Sequence, residues 1–188
     1  MTSLIGLYSP APQSGKTTVA NSLQARGYEK VAFADPIRTM AISLLTSLGL
    51  SESEACRLCF TDKHELIAPI KVTARHLMQT LGTEYGRACI HPHLWVMCWQ
   101  HKVTTHLQAG NSVVCDDVRF PNEAQAILSL GGELWHIHRP GALRGTTHSS
   151  EGALDDFPHF HRHIVNAGTL DDLHQRLNIL LPELALAS

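Results

Sequence analysis

The sequence predicts an α/β fold in which a parallel sheet of about five strands is flanked on both faces by helices. Three observations predict it. Short apolar runs alternate with segments of helical periodicity along most of the 188 residues. The first apolar run leads through a turn into a helix, and that turn carries "SGKTT" (Ser14–Thr18). A long helical stretch then separates the second strand from the third, as an insert would.

Each element has its own reason. "SLIGLYS" (Ser3–Ser9) is a short apolar run ending in turn residues, the pattern of a buried strand. Lys16 to Arg26 carries Val19 and Leu23 four apart and stops at Gly27, which makes an amphipathic helix with a glycine end. "YEKVAF" (Tyr28–Phe33) reads as the second strand. A helix follows from Pro36 to Leu48, with Pro36 suited to its first turn and Asp35 to its cap. Ser51–Phe60 forms a short helix. Thr73–Ala109 is helical but broken at Pro92, with Leu77 and Leu81, then Trp95, Trp99 and Val103, at helical spacing. "SVVCDDV" (Ser112–Val118) is a strand, Pro121–Leu130 a helix stopped by Gly131 and Gly132, and "ELWHIH" (Glu133–His138) a strand. A turn-rich loop with two arginines, Arg139–Glu151, precedes a last strand, "HIVNAG" (His163–Gly168). The final helix starts from Thr169 as its cap. The chain reads as one domain over 1–188, with a helical substrate-covering region at 34–110.

Composition narrows the class. Hydrophobic residues make up 44% and charged residues 17%, a globular balance. No apolar run approaches the roughly 20 residues needed to span a bilayer, so no membrane role is expected. The start, "MTSLIGLYS", lacks the basic segment and cleavage site of a signal peptide. Five cysteines without disulfide-framework spacing suit a reducing cytoplasm. A net charge of −2 does not advertise nucleic-acid binding, although arginines focused into a cleft can hold an anion at any net charge.

"SPAPQSGKTT" (Ser9–Thr18) matches the phosphate-binding pattern G-x-x-x-x-G-K-[ST] except at its first glycine, which is Pro10; a second proline stands at Pro12. The N–H groups that meet a phosphate come from the second half of such a loop and from the helix start, here Gln13, Ser14, Gly15, Lys16, Thr17 and Thr18. The prolines remove donors only from the first half. Lys16 supplies charge to the β- and γ-phosphates of ATP, and the Thr17 hydroxyl is a Mg²⁺ ligand. The alternative is a Ser/Gly/Lys turn that binds nothing. A loop enzyme of this kind also needs an acid at the end of a neighbouring apolar strand, and "VVCDDV" offers Asp116 and Asp117. Alternation along a strand sends these two side chains to opposite sides, so one of them faces the metal, through its water shell.

The motifs "FADPIR" (Phe33–Arg38), "ARHLMQTLGTEYGR" (Ala74–Arg87), "LW" (Leu94–Trp95), "DVRFPNEAQAI" (Asp117–Ile127), "HSSE" (His148–Glu151) and "NAGTLDDL" (Asn166–Leu173) occur in this order. Together they resemble the bacteriophage-type deoxynucleoside monophosphate kinases, a branch of the P-loop nucleotide kinases, over nearly the whole chain. The resemblance implies a nucleoside monophosphate kinase-like fold and an enzyme that moves the ATP γ-phosphoryl group to the 5′-phosphate of a deoxynucleoside monophosphate, in DNA precursor metabolism. It implies Lys16, Asp117, Arg119, Arg139 and Arg144 as catalytic residues and selects Asp117 over Asp116 for the metal side. It also implies Asp35, Arg38, Arg75, Gln79, Trp95, Arg119, His148 and Glu151 around the acceptor, a lid-like loop at 139–152, a homodimer, and, for a phage-encoded protein, the host cell's cytoplasm. The departures from the family pattern are Pro10, Pro12 and Thr17.

The chemistry explains the residue types. Two polyanions must be brought together with oxygens in line, and the acceptor phosphate oxygen is already ionised, so no general base is needed. Planar guanidinium groups suit that neutralisation better than ammonium groups do. Two other readings use the same scaffold. One is a kinase acting on the hydroxymethyl group of a modified pyrimidine, free or within DNA; the other is a nucleotide-binding module without turnover. The remaining signals are weaker. His159, His161 and His163, with His136 and His138, read as loop and strand-face histidines or as a zinc site. Cys56 and Cys59 read as a half-buried helix face, and Trp95 and Trp99 as core or, for Trp95, as a border of the base pocket.

Overall fold

The computed structural model describes residues 2–142 and 153–186, with side chains described up to 180. The elements run β1 (Leu4–Tyr8), α1 (Lys16–Gln24), β2 (Glu29–Lys30), α2 (Asp35–Ser47), α3 (Glu52–Phe60), β3 (Leu66–Ile67), β4 (Val72–Thr73) and α4 (Ala74–Thr80). After a π-helical stretch over Leu81–Ile90 come α5 (Leu94–Gln108), β5 (Val113–Cys115), α6 (Pro121–Ser129), β6 (Glu133–His138), β7 (Arg162–Val165) and α7 (Leu170–Leu186). Two compact units emerge, one of residues Met1–Ala32 with Trp99–Ser188 and one of Phe33–Cys98. No helix among the described residues is long and apolar enough to cross a membrane.

The first unit holds the five-stranded sheet, in the order β2-β5-β1-β6-β7. Every pairing in it is parallel, with Gly6 beside Cys115 and Tyr8 beside His136. Ile5, Leu7, Trp135, Ile137 and Ile164 pack with Val19 and Leu23 of α1 and Leu173 and Leu177 of α7 in one core cluster. Against the other face lies α6, whose Ile127 side chain occupies the space a Cβ on Gly6 would need. Burial on both faces explains why β1 and β5 are uninterrupted apolar runs.

The final helix begins as its sequence indicates. Thr169 Oγ1 accepts from the Asp172 N–H at 3.2 Å while Asp172 Oδ2 accepts from the Thr169 N–H at 2.7 Å, a reciprocal cap. The second strand is shorter than the run Tyr28–Phe33 suggests, although the Val31 N–H still reaches Val114 O at 3.0 Å. Trp99 fixes the chain where it leaves this strand, its indole N–H donating to Val31 O at 3.0 Å.

The second unit packs α2, α3 and α4 around Ala41, Leu45, Ala55, Leu58, Cys59, Ile67 and Ala74. Asp35 is the first helical residue of α2 rather than its cap, and its carboxylate accepts from Arg38 at 2.8 Å. A small antiparallel hairpin, β3 with β4, was not legible in the sequence. Its strands are two residues each, too short for a period, and its turn is closed by Lys71 at φ 51° rather than by glycine. Trp95 is buried in this unit, where its indole N–H donates to Gly82 O at 2.8 Å. A Cβ on Gly86 would overlap that indole, so the glycine there admits the ring.

Candidate active site

The site grows from the turn between β1 and α1. Two residues in it take left-handed backbone: Gln13 at φ 55° and Gly15 at φ 103°. Alternating hands of this kind turn successive N–H groups toward one side, which makes an anion-binding concavity. Gly15 is also crowded, since a Cβ on it would lie 2.7 Å from Asn166 Nδ2. Helix α1 starts at Lys16, so the turn feeds directly into a helix N-terminus. Gln13, Ser14, Gly15, Lys16, Thr17 and Thr18 line a concavity of about 450 Å³ together with Arg139, Asn166, Gly168, Thr169, Leu170 and Leu173.

The two prolines lie to one side of it. Neither Pro10 nor Pro12 is among the lining residues. The intervening Ala11 N–H is used locally, by Ser9 Oγ at 3.3 Å. The stiff first half of the turn therefore leaves the second half free to present its donors. Lys16 Nζ donates to Ser9 O at 3.3 Å, which brings the ammonium back over the turn. Ser14 is buried, and its hydroxyl has no hydrogen-bond partner among the described residues. A buried polar atom costs stability unless something satisfies it, which fits a site whose satisfaction comes from a ligand.

At the end of β5 the two aspartates separate as alternation requires. Asp116 pairs with Lys30 of β2 at 2.5 Å. Asp117 Oδ1 accepts from the Cys115 thiol at 3.3 Å. Burial, and then the Asp117 carboxylate, push that thiol's pKa well up, so Cys115 stays protonated and able to donate. Two residues on, the Arg119 and Phe120 N–H groups donate to Glu123 Oε2 at 2.8 and 3.1 Å. Glu123 is 3% exposed, so the acid of the D-V-R-F-P-N-E motif is a buried bracket for the backbone that carries Arg119. Reading the sequence for exposed chemistry missed it; the signal was a glutamate three residues into a proline-started helix.

Arg139 reaches the turn, its guanidinium donating to Gln13 O at 3.4 Å. Asn166, also missed as a site residue, is 6% exposed and donates from Nδ2 to Ser14 O at 2.9 Å. In the second unit Arg38 is paired with Asp35 and lies 5.3 Å from the Phe60 ring centroid. Arg75 and Gln79 are half-buried on α4. Trp95 is a core residue, with its N–H used inside. Arg144, His148 and Glu151 lie outside the described residues.

The histidines form an aromatic cluster. His136 stacks on Tyr8 at 5.6 Å between centroids, meets Phe160 at 5.2 Å, and sets Nδ1 3.3 Å from His163 Nδ1. Among the described residues no group of three or more His, Cys, Asp or Glu is placed to hold a metal ion.

A family model for deoxynucleotide monophosphate kinase matches residues 48–177. A protein of Acanthamoeba polyphaga mimivirus, provisionally named for that same activity, is 31% identical over 189 residues, 93% of each chain. An uncharacterized ORF76 protein of Ictalurid herpesvirus 1 is 24% identical over 190 residues, 89% of this chain and 73% of its own. Among solved structures, a provisionally named kinase of Chloroflexus aurantiacus aligns with a TM-score of 0.50 at 14% identity, covering 100% of this chain and 98% of its own. At that identity the likeness speaks to the fold alone.

Proposed function

Given that the chain belongs to the deoxynucleotide monophosphate kinase family and is a nucleotide kinase, a phosphotransferase, we propose that it moves the ATP γ-phosphoryl group to the 5′-phosphate of a deoxynucleoside monophosphate. The products are ADP and the deoxynucleoside diphosphate. The observation that carries the proposal is the turn of Gln13–Thr18: a concavity of about 450 Å³ lined by the start of α1 and Arg139, with a buried Ser14 hydroxyl that no group among the described residues satisfies.

In this reading the N–H groups of residues 13–18 and the Lys16 ammonium hold the donor's phosphates, and Arg139 neutralises charge at the transferring group. Asp35, Arg38, Arg75, Gln79 and Arg119 serve the acceptor. Thr17 and Asp117 offer a hydroxyl and a carboxylate, hard oxygen donors suited to Mg²⁺ with part of its water shell. When bound, that ion would neutralise charge on the donor's phosphates. The acceptor's ionised phosphate oxygen attacks the γ-phosphorus as the bond to the β–γ bridging oxygen breaks, and the electron pair leaves with ADP. No protein group needs to remove a proton.

The test is an ADP-release assay across the deoxynucleoside monophosphates and DNA bearing hydroxymethylpyrimidines, run with Lys16→Ala and Arg75→Ala. Lys16→Ala should abolish turnover with every acceptor. Arg75→Ala should raise acceptor KM with little change in ATP binding. A wild type that releases ADP only with modified DNA, or with no acceptor at all, would overturn the proposal.

A further inference from the structure

Two consecutive carbonyls of the phosphate turn are each taken by a side chain that follows a strand end. Gln13 O accepts from Arg139, the residue after β6, and Ser14 O accepts from Asn166, the residue after β7. Asn166 is itself held from the sheet, its backbone N–H donating to His138 O at 2.7 Å. Its side chain packs so closely on the turn that a Cβ at position 15 would lie 2.7 Å from Nδ2.

Geometry makes this arrangement matter. Successive peptide N–H groups can converge on one anion only if the carbonyls between them point elsewhere. A Ser14 carbonyl rotated inward would oppose its negative end to a phosphate oxygen and would turn the Gly15 N–H away. Ser14 is 1% exposed, so the outward-facing carbonyl depends on a protein donor rather than on bulk water. Asn166 Nδ2 is the donor seen there.

We infer that Asn166 is a positioning residue for the donor nucleotide, acting through the Ser14–Gly15 peptide. This rests on the kinase reading above and adds to it a residue whose role is donor-specific. Its part is to set the direction of the Gly15 N–H through the Ser14 carbonyl.

The test compares the full-length wild type with Asn166→Asp, which keeps the shape and loses the donor, and Asn166→Ala. Readouts are ADP and ATP affinity by calorimetry, KM for ATP and for the acceptor, kcat, and the thermal midpoint. Both variants should fold and bind ADP and ATP about tenfold or more weakly, the scale of one hydrogen bond whose loss reorients a second donor. Acceptor KM and saturated kcat should stay within about twofold of wild type, since the contact acts only on donor binding. Aspartate should be the worse substitution, because its charge adds repulsion toward the phosphates. Unchanged nucleotide affinity in either variant overturns the inference, as do variants that fail to fold or that lose kcat and both affinities together. If the wild type itself binds no ADP, the kinase reading fails first and the inference falls with it.

Discussion

The Tyr8 hydroxyl donates to Asp155 Oδ1 at 2.7 Å across 147 residues of sequence. Tyr8 is the last residue of β1 and 2% exposed, and its ring stacks on Phe160 as well as on His136. Asp155 and Phe160, ahead of β7, are thus pinned on the strand that leads into the turn of Gln13–Thr18. Tyr8→Phe keeps the stacking and removes the bond. It should cost about 1 kcal/mol, or roughly 3 °C in thermal midpoint for a chain of this size. A midpoint unchanged within error would show that Asp155 contributes nothing through this contact.

Glu123 should separate charge from shape. Its buried carboxylate serves two backbone donors, Arg119 and Phe120, at the start of α6. Glu123→Gln retains an acceptor but not the charge, and should destabilise by about 1 kcal/mol. Glu123→Ala strands both donors and should cost about 3 kcal/mol. Urea unfolding of the two variants measures this. Equal losses would mean that packing, not the charged acceptor, holds the motif together.

The Trp95 indole and Gly86 should prove inseparable. Gly86→Ala drives a methyl group into the ring, and a loss of about 2 kcal/mol is expected from overpacking. Trp95→Phe leaves the Gly82 carbonyl without the indole donor and should cost about 1–3 kcal/mol. In the double variant the two losses should fall short of adding, because both act on one contact. Strict additivity in the denaturation data would refute the coupling.

His136 gives stability a pH dependence with a definite sign. Burial, then the neighbouring His163 and His138 and the Lys16 charge, lower its pKa below the ordinary 6.5; Asp155 opposes them. The unfolded chain therefore takes up a proton near pH 6.5 that the folded ring resists. Stability should be full above that value and should fall as the pH drops from it toward the folded pKa. His136→Phe preserves an aromatic ring for Tyr8 and Phe160 and should flatten the slope on the acid side of about pH 6.5. An identical slope in wild type and variant, followed by chemical unfolding, would refute this.

The sequence by itself determined the parallel sheet, the turn that carries Lys16, and the family. Those properties rest on apolar periodicity and on a contiguous motif, both local along the chain. It offered Asp116 and Asp117 at one strand end, and the tertiary structure shows Asp116 paired with Lys30. Only the tertiary structure decided what holds the turn of Gln13–Thr18 in shape. Arg139 and Asn166 meet it from the ends of β6 and β7, over a hundred residues away in sequence, whereas the Glu123 bracket on Arg119 is a local helix cap four residues long. A side chain's hydrogen-bond partner across a sheet depends on strand order and register, and no pattern along a single chain records those.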